Sequence, residues 1–244
     1  MSIKLLVVGG ANGIGLSIAK EFEKRNCCEH IYIVDKQPLA HEYKSAKITD
    51  YIFDLRNDDY SFFERFSDIN AVMYTAGFGK LSLFKDIDEK YIIDSFHVNT
   101  IAPIRIIHRF IAKLHAENDF YCGIMDSIAG FISSPFFAVY GATKAALKIF
   151  IESVNVELIK NGTSNRILNV SPGSLKGTSF NCGKTDLTVT APMANEILNH
   201  LLAKDDLYIP DYDEVFKEVL TRYANDFRAE GIHSYEYKVK SGRL

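Results

Sequence analysis

Short runs that are apolar at every position, rather than at every second one, dominate this chain and most constrain what it can fold into. They fall at Lys4 to Val8, His30 to Val34, Ile48 to Phe53, Ala71 to Tyr74, Tyr121 to Met125, Ile167 to Val170 and Leu207 to Ile209. A continuously apolar run bounded by glycine or polar residues suits a parallel strand covered by helices on both faces. Between the runs, apolar residues recur at helical spacing: Ile14, Ile18, Ala19 and Phe22; Ile104, Ile107, Ile111 and Leu114; Ala142, Ala145, Ile149 and Val156. Strand and helix alternating in this way predict an α/β fold, a doubly wound parallel sheet of about seven strands in the Rossmann manner, with helices on both faces. Ligands then belong at the carboxyl ends of the strands.

Composition narrows the function classes. The 244 residues are 47% hydrophobic and 24% charged, enough for a sizeable core, and the formal net charge of -3 offers no broad positive field for a phosphate backbone. Nucleic acid is therefore not an expected partner. No apolar run approaches the roughly 20 residues that cross a bilayer, and the first ten residues lack the long apolar stretch of a secretory leader. No membrane association is expected. Cys27, Cys28, Cys122 and Cys182 are too irregularly placed for a disulfide framework and read as reduced thiols in the cytoplasm. Residues 1–244 read as one domain. From about residue 211 an additional C-terminal helix is expected, at Glu214 to Ala229, with a solvated basic end at Lys238, Lys240 and Arg243.

The turn after the first run is Val8-Gly9-Gly10-Ala11-Asn12-Gly13-Ile14-Gly15. Glycines there admit positive φ and close approach of a pyrophosphate, and the start of the following helix supplies amide donors and a favourable dipole. Gly9, Asn12, Gly13, Ile14 and Gly15 are thus candidates to hold a dinucleotide. Asp35 ends the second run about 20 residues further on, where a carboxylate accepts hydrogen bonds from the adenosine ribose and repels a 2′-phosphate. NAD is expected over NADP. Asp35 could instead cap a local turn.

Tyr140-Gly141-Ala142-Thr143-Lys144 places a phenol and an amine one helical turn apart on one face, with Ser127 upstream at the end of a predicted strand. A nearby cation favours the phenolate and brings tyrosine, ordinarily near pKa 10, closer to acid–base work at neutral pH. The Ser127 hydroxyl can hydrogen-bond a substrate oxygen. Singly, Tyr140 also fits a half-buried aromatic at a helix start, Lys144 a solvated lysine, and Ser127 a cap.

Taken in order from Lys4 to about Thr178, these segments resemble the short-chain dehydrogenase/reductase family in its single-domain form. The glycine loop resembles the family's cofactor turn, with Val8 where a threonine is usual. Asp54-Leu55 resembles its adenine-side acidic pair. Tyr74-Thr75-Ala76-Gly77 keeps only the Ala76-Gly77 half of the family's Asn-Asn-Ala-Gly segment, which predicts a loss of local strand stabilisation. Asn99, Ser127, Tyr140 and Lys144 match the family's catalytic set, and Pro172, Gly173 and Thr178 the stretch leading to the nicotinamide. The resemblance implies an NAD-dependent oxidoreductase that interconverts a secondary alcohol and a ketone. It also implies that Lys144 holds the nicotinamide ribose, that Asn99 orients a water continuing the proton path, and that the chain forms a homo-oligomer, a dimer or tetramer. The family's common C-terminal ending is absent; the helical tail resembles members whose ends close over or beside the substrate cleft.

A catalytically silent NAD-binding regulator is the alternative class, and the intact Ser127, Tyr140 and Lys144 set argues against it. No metal is expected: Cys27-Cys28-Glu29-His30 has no second cluster to complete a tetrahedral site. Phe78, Phe131, Ile132, Phe136 and Phe137 line an apolar substrate pocket or pack as core, and the polar segment Ser174 to Val189 reads as a lid.

Overall fold

The computed structural model describes residues 2–56, 59–178, 180 and 184–241. Cys182 and Arg243 lie outside the described residues, as does part of the expected lid. The strands are β1 (Ile3–Val8), β2 (Cys28–Asp35), β3 (Ile48–Ile52), β4 (Ala71–Tyr74), β5 (Tyr121–Met125), β6 (Ile167–Val170) and β7 (Leu207–Tyr208). All pair in parallel in the order β3-β2-β1-β4-β5-β6-β7. The order reverses between β1 and β4, which opens a crevice at the carboxyl ends of the neighbouring strands.

The apolar runs are continuous because both faces of the sheet are covered. Leu6, Val8, Val72 and Tyr74 face Ile106, Ile107 and Phe110 of α3 (Ala102–Leu114) and Leu147, Ile151 and Leu158 of α4 (Ala138–Lys160). Leu5, Val7 and Met73 face the opposite layer, made by Leu16, Ile18 and Phe22 of α1 (Gly13–Glu23) and Ile197, Leu198 and Leu201 of α5 (Leu187–Ala203). Alternate residues of one strand thus enter opposite cores.

α4 presents a different stripe from the one its sequence suggested. Leu147, Ile151, Val154 and Leu158 turn inward, whereas Ile149 and Val156 of the expected stripe are exposed, as is Ile159. The helix is apolar on more than one side, so spacing alone does not say which side meets the sheet.

The tail also departs from expectation. In place of one helix over Glu214 to Ala229 there are two, α6 (Lys217–Asn225) and α7 (Phe227–Lys240). Asp226 breaks them: its backbone is extended and its carboxylate accepts from the Arg228 and Ala229 amides, capping α7. α5 begins at Leu187, where the Asp186 side chain caps it on the Thr188 amide.

Candidate active site

The β1–α1 turn is built so that only glycine serves at its close approaches. Gly9 has φ +86°, and a Cβ there would lie 2.5 Å from the Ala76 backbone nitrogen. Gly13 has φ +57°, and a Cβ on Gly15 would stand 2.2 Å from the Gly9 carbonyl oxygen. Strand β4 is therefore pressed against the turn. Thr75 fastens it, donating its hydroxyl to the Val8 and Gly9 carbonyls at 3.0 Å each while its amide binds Val8 at 2.8 Å. The stabilisation expected to be lost with the family's asparagines is retained through a threonine, a signal that was present in the sequence at residue 75.

Asp35 closes the other side of the turn. Its Oδ2 accepts from the Ala11 amide at 3.0 Å and its Oδ1 from the Gln37 amide at 3.2 Å, so the carboxylate both caps a local turn and stands at the mouth of the glycine loop. Asp54, at the end of the next strand, pairs with Arg56 through Nε at 3.0 Å and Nη2 at 2.5 Å, and the guanidinium holds its carboxyl down at about 2. The Leu55 carbonyl accepts from the Tyr60 hydroxyl. The first amide of α1, Gly13, donates to the Thr185 hydroxyl at 2.7 Å, and Thr178 lies alongside with its hydroxyl on the Leu175 carbonyl at 3.2 Å.

Ser127, Tyr140, Lys144 and Asn99 converge at the carboxyl ends of β4 and β5. Ser127 leaves β5 in extended conformation and begins a short turn; its oxygen accepts from the Ala129 amide at 3.2 Å and its hydroxyl donates to the Pro172 carbonyl at 3.4 Å. Gly130 and Gly141 let that turn lie on α4, since a Cβ on Gly130 would meet the Lys144 backbone at 2.8 Å. Tyr140 is half-buried and hydrogen-bonds Ser127. Burial pushes its phenol well above the ordinary tyrosine range, and the Asp126 charge adds to this; the Ser127 hydrogen bond opposes both.

Lys144 is 3% exposed and donates to the Met125 carbonyl at 2.7 Å, its amine 5.8 Å from the centre of the Tyr140 ring. Burial lowers its pKa, and Asp126 works against that loss. Asn99 is fully buried. Its amide donates to the Phe78 carbonyl at 2.9 Å and the Thr143 hydroxyl at 3.1 Å, and its Oδ1 accepts from the Phe78 amide at 3.0 Å. It sits in a π-helical turn, His97–Ile101, between α2 (Glu89–Phe96) and α3. Pro103 explains the turn: at i+4 from Asn99 it has no N–H with which to claim that residue's carbonyl. This proline is a functional signal that the sequence carried and spacing did not single out.

The remaining expected residues frame the cleft. Gly77 passes close to both Asn99 and Lys144, a Cβ there falling 3.3 Å from Asn99 Oδ1 and 3.8 Å from Lys144 Nζ. Gly173, after β6, is covered by Phe216 of the tail, whose Cζ would be 2.8 Å from a Cβ. Of the aromatic candidates, Phe136 stacks on Tyr235 of α7 at 4.6 Å, Phe137 packs on Tyr140 at 5.7 Å and Phe78 on Tyr91 at 5.5 Å. Lys238 of α7 donates to Ser134 Oγ at 2.8 Å and the Pro135 carbonyl at 2.9 Å, tying the tail to the segment between Ser127 and Tyr140. Among the described residues no helix is long and apolar enough to cross a membrane.

A family model described as short chain dehydrogenase matches residues 4–186. An uncharacterized oxidoreductase of Saccharomyces cerevisiae is 28% identical over 185 residues, covering 72% of this chain but only 56% of the yeast protein. A short-chain dehydrogenase of Neurospora crassa is 29% identical over 210 residues, 80% of this chain and 70% of its own length. Among solved structures, a short-chain dehydrogenase from Streptomyces avermitilis superposes with TM-score 0.76 at 18% identity, covering 98% of this chain and 100% of that one. One from Burkholderia cenocepacia, in complex with NADP, gives TM-score 0.77 at 18% identity over 96% of this chain and 97% of its own. At such identity the structural likeness speaks to the fold.

Proposed function

The chain belongs to the short-chain dehydrogenase family, and from that premise we propose that this oxidoreductase interconverts a secondary alcohol and a ketone with NAD, Tyr140 acting as acid and base. The observation that carries the proposal is the half-buried Tyr140 phenol, hydrogen-bonded to Ser127 and one turn from Lys144, beside a turn only glycines can form.

The residues present fit a dinucleotide, because the glycine turn, packed too closely on Ala76 and Thr75 to admit side chains, brings the first amides of α1 to the crevice, where a phosphate would be held. Gly9, Asn12, Gly13, Ile14 and Gly15 would hold the pyrophosphate and Asp35 the adenosine ribose. Asp54 and Leu55 would lie by the adenine. Ala76, Gly77, Pro172, Gly173 and Thr178 would flank the nicotinamide half, with Lys144 and Tyr140 at its ribose. When bound, the nicotinamide supplies or takes up the hydride. The Asp35 charge disfavours a 2′-phosphate, which supports NAD over NADP.

Burial keeps Tyr140 protonated at neutral pH, so the phenol is set to donate to a carbonyl oxygen in reduction and to accept that proton back in oxidation. Ser127 orients the substrate oxygen and stabilises the charge that develops there. Lys144 holds a positive charge near the phenol, and Asn99 would orient a water that carries the proton onward. Exposed Ile149, Val156 and Ile159 along α4 support a homo-oligomer formed through the long helices. The free thiols of Cys27, Cys28 and Cys122 support a cytoplasmic location.

The test is a spectrophotometric screen of alcohols and ketones with NAD and NADP in parallel. Turnover by the native chain and its loss in Tyr140→Phe are expected. Tight NAD binding with no turnover across the panel overturns the proposal in favour of a silent NAD-binding regulator.

A further inference from the structure

Asp126 lies between Met125, whose carbonyl receives the Lys144 amine at 2.7 Å, and Ser127. It is 3% exposed. Its Oδ2 accepts from Asn169 Nδ2 at a long 3.4 Å and the Ser127 amide also reaches the carboxyl, while Oδ1 has no hydrogen-bond partner among the described residues. Buried carboxylates ordinarily collect a full set of donors, because an unsatisfied one is costly. Lys144 is as deeply buried, and its hydrogen bond goes to a neutral carbonyl, which cannot by itself offset the water an ammonium has given up. Two half-satisfied buried groups of opposite sign therefore meet at the end of β5, near enough for each to feel the other's charge. The groups whose charge Asp126 meets are Tyr140, Lys144 and Lys148, all on α4; Asn169 of β6 and Ser127 of its own turn are neutral.

We propose that Asp126 is a positioning residue for the reaction, its carboxylate being the counter-charge that keeps Lys144 an ammonium ion and that directly holds up the pH at which Tyr140 exchanges its proton. This rests on the acid–base reading of Tyr140 and Lys144. A negative charge favours the protonated form of every neighbour, so its removal moves both groups in one direction: Lys144 and Tyr140 each release their protons at lower pH. Burial pushes the Asp126 carboxyl itself up to about 7, against the pull of Lys144, so its charge develops through neutrality. A residue that merely held Asn169 and the end of β5 in place would move neither titration.

The experiment is a pH titration of the whole chain carrying 13Cε-labelled lysine, the Lys144 resonance assigned by its loss in Lys144→Met. In Asp126→Asn the resonance is expected to titrate at lower pH than in the native chain; an unchanged titration overturns the proposal. Asp126→Ser, smaller and equally uncharged, makes the same comparison if the asparagine variant does not fold. With any alcohol the native chain oxidises, the pH profile of kcat/KM should likewise move to lower pH, and a rate depressed equally at every pH with undisplaced limbs overturns the proposal. The NMR measurement needs no turnover, so a native chain inactive on every substrate counts against the proposed activity and leaves the role of Asp126 still tested.

Discussion

Replacing Gly15 by alanine sets two magnitudes against each other. Alanine is the better helix former by about 1 kcal/mol, which favours the variant. Its Cβ, however, would stand 2.2 Å from the Gly9 carbonyl oxygen and 2.3 Å from the Thr75 hydroxyl. Carbon and oxygen approach to about 3.3 Å at closest, so the start of α1 must withdraw by about 1 Å. Neither neighbour can yield easily: the Gly9 amide is bound to the Val34 carbonyl at 2.7 Å, and the Thr75 hydroxyl is bound to Val8 and Gly9. Overpacking of this kind costs about 1–3 kcal/mol, which outweighs the gain in propensity. An amide displaced by 1 Å also loses its bond to a phosphate, worth about 1.5–3 kcal/mol for a charged acceptor, or roughly ten- to 150-fold in affinity. The chain has no tryptophan, so binding is read from the fluorescence of NADH itself and stability from thermal unfolding. Gly162→Ala is the control, since at φ +81° with nothing within 4 Å it meets backbone strain alone. A Gly15→Ala protein that binds NADH as tightly as the native chain would refute the cradle.

Further outcomes follow from the same geometry. Thr185→Ala frees the Gly13 amide that a phosphate would take, so NADH affinity should hold or rise while the cofactor-free protein loses about 1 kcal/mol; calorimetric titration and thermal melts separate the two. Asp126 has its carboxyl raised from 3.8 to about 7, so its contribution to stability is complete below pH 3.8 and is lost as pH rises through 7. Asp126→Asn should therefore gain stability relative to the native chain between pH 5 and pH 8, measured by urea unfolding at both ends. Leu147→Ala, at a fully buried site between α4 and the sheet, should cost about 2–5 kcal/mol in urea unfolding with cofactor affinity unchanged.

The sheet was legible because two-sided burial leaves a direct trace: β4, β5 and β6 begin and end where their apolar runs do. The side of α4 that packs was not legible, because Ile149 and Leu147 look alike until the sheet selects one. The break in the tail was written in Asn225-Asp226, yet the helical spacing on either side of it masked the cap. At the site, the glycine turn and the Tyr140–Lys144 spacing are local patterns that survive as geometry. Asp126 is different. What marks it is that Oδ1 finds no hydrogen-bond donor among the described residues, a property of packing that no spacing records.

A single substitution decides whether Tyr140 is the acid and base. Tyr140→Phe removes one oxygen from a ring held by Phe137 and the Ser127 turn, and should bind NADH as the native chain does. With any alcohol or ketone the native chain turns over, kcat in the variant should fall by about 10²- to 10⁴-fold, the usual worth of a positioned acid or base. Near-normal kcat in Tyr140→Phe contradicts the account.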